Sequence, residues 1–189
     1  MFHRIPYAPL TDAQFQALLP YLARKSPVGR PMADLRRRLD GMFHLISTDA
    51  PWREVPACFG AAATVARHFR RLTGAGLWEA LLQALADQPP GHPLQSLRRV
   101  IFRAARRAYR IRGLGIIVLA RRLGMLRALP GPSWLLPDPD LSETLFQWQS
   151  RHFGNFAPFV RRWGRTLRNL LTLAGGRARI PRSVRLVQP

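Results

Sequence analysis

Three carboxylates that lie close together in the sequence could hold divalent cations: Asp138, Asp140 and Glu143. Phosphoryl transfer on two metal ions needs two or three carboxylates, because the cations activate a water and a leaving oxygen. Here, however, Pro139 lies among them, and Ser142 is a favourable helix N-cap with Glu143 in the first turn. We therefore interpret the trio as a loop followed by a helix start, and we predict neither a metal ion nor another cofactor.

Nucleophilic catalysis would need a serine or the single cysteine, Cys58, beside a histidine that a third group orients. The chain has no Gly-x-Ser-x-Gly elbow, and its five histidines form neither an i,i+4 pair nor a His-Glu motif. We therefore interpret Cys58 as a buried thiol and predict no catalytic residue. A single cysteine also excludes an internal disulfide framework and favours a reducing cytoplasm.

The strongest chemical signal is a cationic face on a short predicted helix over residues 61–73. Val65, Phe69 and Leu72 share one face at helical spacing. The opposite face carries Thr64, Arg67, His68 and Arg71. Such a helix, following another across a short connection, has the dimensions to enter a DNA major groove, where arginine can bind guanine O6 and N7. The alternative interpretation is an ordinary solvated face.

The overall charge agrees with a polyanionic partner. The 189 residues include 30 Lys+Arg and 10 Asp+Glu, which gives a formal net charge of +20. Such an excess must be screened by a polyanion or by salt, so nucleic acid is the leading partner. The N-terminus has no apolar run of signal-peptide length, and the longest apolar run, 114–120, is far short of the ~20 residues that cross a bilayer. We expect no integral membrane insertion and a cytoplasmic, nucleoid-associated protein.

Helical periodicity, with no alternating β pattern, predicts an all-α protein. Residues 11–14 form a capping box before a helix that extends to about residue 24, and further helices carry the apolar repeats from Leu35 to Ile46 and over 77–85. No helix can cross the proline-rich run 88–93, so we place a domain boundary there. The first part has 11 basic and 7 acidic residues (+4), and the second has 19 and 3 (+16).

The second part is also predicted to be helical, and its helices are amphipathic. The segments lie near 94–112, 114–129, 142–153 and 157–174, and a flexible basic tail follows. Five arginines share one face of the first segment: Arg99, Arg103, Arg106, Arg107 and Arg110. These side chains could contact phosphates. Basic amphipathic helices would equally suit RNA or an anionic membrane surface, and this alternative stays open.

Several motifs fall in a fixed order between residues 10 and 86. They are Leu10-Thr11-Asp12-Ala13-Gln14-Phe15, Gly29-Arg30-Pro31, Pro51-Trp52-Arg53, Phe59-Gly60 and Gly76-Leu77-Trp78. In this order and spacing they resemble the N-terminal domain of bacterial insertion-sequence transposases of the DDE type. The resemblance implies a small helical domain that recognises the element's terminal repeats, with 61–73 as its helix-turn-helix reader. The family's catalytic domain has an RNase H-like fold with two Asp and one Glu, and no residue here matches those three.

We therefore predict a helix-turn-helix-like DNA-binding domain over 10–87, an arginine-rich helical segment over 94–175 and a basic tail over 176–189. The protein would bind double-stranded DNA without strand-transfer activity, as a transposase remnant or a domesticated regulator. It would act as a homodimer or with a separate catalytic transposase subunit. The predicted groove residues are Thr64, Arg67, His68, Arg70 and Arg71; the predicted backbone contacts are Arg30, Arg53, Arg99, Arg103, Arg106 and Arg110.

Overall fold

The computed structural model describes residues 7–22, 34–151 and 156–176, and for 156–162 the backbone alone. Within these ranges the chain is all-α, as predicted, and forms no β-strand. The helices are α1 (Asp12–Leu22), α2 (Leu35–Thr48), α3 (Ala62–Gly74), α4 (Leu77–Asp87), α5 (Pro93–Ser96), α6 (Arg98–Arg112), α7 (Leu114–Arg122), α8 (Pro139–Arg151) and α9 (Phe156–Ala174). None of these described helices is both long enough and apolar enough to cross a membrane.

The first helices begin where the sequence predicts them. The capping box of α1 is confirmed, because the Gln14 backbone N–H donates to Thr11 Oγ1 at 3.2 Å and the Thr11 N–H donates to Gln14 Oε1 at 3.0 Å. Helix α3 lies one residue later than the predicted 61–73, and α4 extends two residues beyond the predicted 77–85. The predicted end of α1 at residue 24 lies outside the described residues.

The chain forms two compact units, Met1–Ile116 and Ile117–Pro189. This division differs from the boundary that the proline-rich run 88–93 suggested. Helix α5 packs against α1 and α4, and α6 packs against α2, α3 and α4. The prolines do end α4, since they cannot continue a helix, but the chain then folds back onto the same core and buries Leu94 and Leu97. The proline-rich run therefore ends α4 and is followed by helices of the same compact unit.

The core of the first unit is centred on Trp78 of α4, whose side chain is completely buried. Its ring packs against Phe69 of α3 with ring centroids 5.4 Å apart. The indole Nε1–H donates to Thr73 Oγ1 at 2.8 Å, which satisfies the polar atom of each buried side chain. The turn between α3 and α4 contains only Ala75 and Gly76, and the φ of +83° at Gly76 favours glycine.

Helix α6 is buried at its middle, and this overturns the expectation that Arg103 and Arg107 lie on a basic face open to phosphates. The Arg103 side chain is only 9% exposed and donates to the carbonyl oxygens of Ile46 and Ser47. Arg107 donates to Leu45 O at 3.2 Å, to Ala50 O at 3.0 Å and to Asp49 at 3.1 Å. The carbonyl end of α2 carries partial negative charge, so two guanidinium groups stabilise this terminus.

In the second unit, hydrogen bonds from one arginine fix the connection between α7 and α8. Arg121 at the end of α7 donates to Ser133 O at 2.6 Å, to Leu136 O at 3.1 Å and to Asp138 at 2.9 Å. Helices α8 and α9 pack on each other around Leu145 and Leu167. Helix α7 ends at Arg122 rather than near residue 129, because Gly124 adopts a φ of +65°.

Asp138, Asp140 and Glu143 lie at the start of α8, and one of them corrects the predicted N-cap. Asp138, not Ser142, caps the helix: its Oδ1 accepts from the Leu141 backbone N–H at 3.1 Å. Asp140 pairs with Arg122 at 2.8 Å. Glu143 accepts a hydrogen bond from Gln147 at 3.2 Å. Each carboxylate therefore has a partner within the second unit.

Replacing Arg103 by Ala should destabilise the first unit. Two carbonyl oxygens at the end of α2 would lose a charged donor in a buried place, and hydrogen bonds to charged groups contribute ~1.5–3 kcal/mol each. We expect the free energy of unfolding, measured by urea denaturation, to fall by about 2 kcal/mol or more. The matched control is Arg99→Ala, which removes an exposed arginine of the same helix and should change stability by less than ~0.5 kcal/mol. Equal effects of the two changes would contradict the assignment.

Candidate nucleic-acid interface

The candidate interface is the outer face of α3. Val65, Phe69 and Leu72 are buried, as the sequence predicts. On the opposite side the exposed polar residues are Thr64, Arg67, Arg70 and Arg71. At 100° per residue these four positions fall within an arc of about 120°, so they share one side of the helix. We call this arc the α3 face.

The α3 face keeps its positive charge. Helix α3 contains no Asp or Glu, and Arg67 makes no hydrogen bond or ion pair with any residue that the structure describes. Arg70 donates only to the Ala66 carbonyl of its own helix, at 3.4 Å. Arg71 donates to a neutral partner, the ring of His68, at 3.2 Å. Since no carboxylate among the described residues pairs with them, three guanidinium groups remain available to an anionic ligand.

His68 is not on the α3 face, contrary to the sequence expectation. Its side chain is only 5% exposed. Burial, with the nearby guanidinium groups of Arg71 and Arg38 acting in the same direction, lowers its pKa from 6.5 to about 4. The ring is therefore neutral at pH 7. Helical spacing placed it at the edge of the polar side, and the adjacent α2 covers that edge.

Helix α2 contributes a basic residue that sequence reasoning missed. Arg38 is half-buried and lies close enough to His68 to act on its pKa. The signal was present in the sequence: Arg38 is in helical register with Met42 and Leu45, two buried residues, so it had to face a neighbouring element. Close packing brings α2 and α3 together, since a Cβ at Gly41 would lie 2.7 Å from Cβ of Phe59 just before α3.

The connection from α2 to α3 itself positions α3. It runs from Asp49 to Ala61 and contains the 3-10 turns Trp52–Glu54 and Ala57–Phe59. Trp52 packs on Phe69 with ring centroids 5.0 Å apart, and the Arg107 guanidinium lies 5.5 Å from the Trp52 ring. Arg53 is exposed on the first turn, which packs against α3. Cys58, expected to be buried, is exposed on the second turn.

Helix α4 follows α3 across the tight turn Ala75-Gly76, so it has the position of a second helix in a helix-turn-helix. Its exposed residues are nevertheless neutral or acidic: Ala80, Gln83, Ala86 and Asp87. An acidic surface would repel phosphates. Within this pair, α3 alone presents a cationic surface.

The remaining predicted backbone contacts differ in exposure. Arg99 and Arg110 are exposed on α6, whereas Arg103 is buried and Arg106 is half-buried. Burial lowers the pKa of Arg106, as does the neighbouring Arg103, while Asp49 raises it. Arg30 lies outside the described residues. The structure thus brings Thr64, Arg67, Arg70 and Arg71 together and separates them from Arg103 and Arg106, which face the end of α2.

The low pKa of His68 predicts a specific pH dependence of stability. The unfolded chain binds the proton near pH 6.5 and the folded chain only near pH 4, so the free energy of unfolding falls as pH falls between these values. The slope from one group is at most ~1.4 kcal/mol per pH unit. The His68→Leu variant lacks this contribution, so urea denaturation should show wild type losing more stability than the variant between pH 7 and 4. Parallel losses would contradict the assignment.

Comparison with known families supports the transposase resemblance. Residues 10–82 match the model of the family described as "Putative transposase of IS4/5 family (DUF4096)". No curated protein and no solved structure matches the chain. The matched range includes α3, the connection before it and the two helices that pack beside it, while α5 and α6 lie beyond the match. Residues 10–82, less than half of the chain, are therefore similar to the transposases that this family model describes.

Proposed function

We propose that the protein binds double-stranded DNA through the α3 face, as a relative of insertion-sequence transposases without strand-transfer activity of its own. One observation carries the proposal: within a transposase-like domain, α3 presents three exposed arginines that no acidic residue neutralises. The protein would be a transposase remnant or a domesticated regulator, associated with nucleoid DNA in the cytoplasm.

The dimensions of α3 suit the major groove. Its 13 residues span about 20 Å at 1.5 Å per residue. Arg67 and Arg71 are separated by four residues, or about 6 Å along the axis, which is close to two base-pair steps of ~3.4 Å. Arginine binds guanine O6 and N7 bidentately, and the Thr64 side chain can contact either a base or a phosphate. The row Thr64, Arg67 and Arg71 is therefore the proposed base-reading set.

Phosphate contacts are assigned to exposed arginines outside this row. Arg70 flanks the row, and Arg53 stands on the 3-10 turn that packs against α3. Arg99 and Arg110 add exposed positive charge on α6. Arg103 and Arg106 are withdrawn from the DNA-contact set because they face the end of α2. A homodimer would match a pair of symmetric half-sites.

The acidic residues of the second unit have structural roles within that unit. Asp138 caps α8 and accepts from Arg121, and Asp140 pairs with Arg122. Carboxylates that bind metal ions need free lone pairs aimed at a common point. Within the described ranges no group of three His, Cys, Asp or Glu residues is placed to hold a metal ion.

Sequence preference should depend on Arg67 and Arg71. We expect the Arg67→Ala, Arg71→Ala double variant to lose at least about tenfold in the ratio of specific to non-specific affinity, because each bidentate guanine contact contributes ~1–3 kcal/mol of discrimination. The measurement is a gel shift with duplexes that wild type enriches from a randomised pool. The matched control is Arg99→Ala, Arg127→Ala, which removes the same charge from exposed positions elsewhere and should leave the ratio within about twofold.

If the α3 variant and the control variant reduce the ratio equally, the α3 face is not the base-reading surface. If wild type enriches RNA or binds anionic vesicles and ignores duplexes, the DNA proposal fails in favour of the alternative partners. Vesicle flotation and single-strand shift assays on the same preparation distinguish these outcomes.

The salt dependence of binding reports the phosphate contacts. Each phosphate that the protein neutralises should steepen the log–log plot of affinity against salt by ~0.9. We expect Arg53→Ala to reduce the slope by about 1 and to weaken binding equally on enriched and random duplexes. A wild-type affinity that does not change between low and moderate salt would contradict electrostatic binding.

A further inference from the structure

We infer that His68 is a positioning residue for Arg71: it holds one edge of the guanidinium so that Arg71 reads a fixed base, whereas Arg67 adapts. This inference rests on the proposed function, since it concerns how the α3 face achieves specificity. Helical spacing alone would make His68 a groove contact. The inference gives this buried residue an indirect role instead, because it orients a groove residue.

The contact itself has a defined direction. Arg71 Nη2 lies 3.2 Å from His68 Nδ1, three residues earlier on the same helix. Arginine only donates, so Nδ1 accepts, and the neutral imidazole must carry its proton on Nε2. The His68 ring is buried in the packing between α2 and α3 and cannot follow a mobile partner. The exposed Arg71 side chain is therefore anchored to a rigid acceptor.

This anchor leaves Arg71 able to bind a base. A guanidinium group has five N–H donors arranged along two edges, and the bond to His68 occupies one donor of Nη2. The other edge keeps the pair of parallel donors that matches guanine O6 and N7. A side chain that is already oriented loses less conformational freedom on binding than a free one. Arg67 has no such anchor among the described residues.

A neutral acceptor has an advantage over a carboxylate at this place. A carboxylate would orient Arg71 but would also cancel its charge and repel the DNA phosphates. The two cations that act on the ring are Arg71 from α3 and Arg38 from α2. Both oppose protonation of the ring, and burial does the same, so His68 stays an acceptor at neutral pH. His68 thus orients the Arg71 guanidinium without neutralising its charge.

The first test compares two replacements of His68 in the full chain. Duplexes enriched from a randomised pool define which base position loses its preference in Arg71→Ala and which in Arg67→Ala. His68→Asn, whose Oδ1 can take the place of Nδ1, should keep the Arg71 position within about threefold. His68→Leu has no acceptor and should lose about tenfold at that position and nothing at the Arg67 position. In the Arg71→Ala background, His68→Leu should have no further effect.

The second test uses the wild-type side chain and does not depend on the folding of a His68 variant. In the full chain labelled with ¹⁵N-histidine, NMR should show His68 as the Nε2–H tautomer, with an Nδ1 resonance that shifts in Arg71→Ala and stays unchanged in Arg67→Ala. An Nδ1 resonance that is insensitive to Arg71→Ala would overturn the inference.

The outcomes separate the inference from the proposed function. If wild type enriches no duplex, the proposed function fails and the inference fails with it. If duplexes are enriched but His68→Leu keeps the preference at the Arg71 position, only the inference fails. If His68→Leu reduces the preference equally at both positions, its role is purely structural and the inference is overturned.

Discussion

The candidate interface depends on how one aromatic side chain fixes the rotation of α3. Phe69 packs between Trp52, with ring centroids 5.0 Å apart, and Trp78, with ring centroids 5.4 Å apart. One tryptophan comes from the connection before α3 and the other from the helix after it. A rotation of α3 by one residue, about 100°, would move the arginines of the α3 face toward the core. The two aromatic contacts therefore determine which side of α3 meets solvent.

The arginines of the first unit have two different roles: some stabilise the fold and others remain exposed. On α6, Arg103 and Arg107 are turned inward and stabilise the carbonyl end of α2. On α3, Arg67 is turned outward and has no partner among the described residues. The difference comes from the surroundings: carbonyl oxygens at the end of α2 accept from Arg103 and Arg107, whereas Arg67 pairs with no acidic residue among those that the structure describes. Because α6 lies beyond residue 82, a helix outside the family match completes the core of the unit that contains the matched residues.

Local sequence signals predict the helices well. Which further sides of a helix are buried depends on tertiary packing, which those signals do not contain. The capping box at Thr11 and the buried side of α3 follow from spacing within one helix, and both are confirmed. His68 and Arg103 were placed outside because periodicity describes one helix against one core, whereas α2 covers a second side of both α3 and α6. The proline-rich run predicts the end of α4, but local backbone chemistry does not determine where the chain packs next.

The central claim is that arginines of α3 read guanine in the major groove. Methylation interference tests it most directly, because dimethyl sulfate modifies guanine N7, the major-groove atom that a bidentate arginine would contact. We predict that methylation of one or two guanines in an enriched duplex blocks binding by the full chain, and that protection of the same N7 atoms appears in the complex. Binding that tolerates every N7 modification, or interference confined to adenine N3 in the minor groove, would contradict the account.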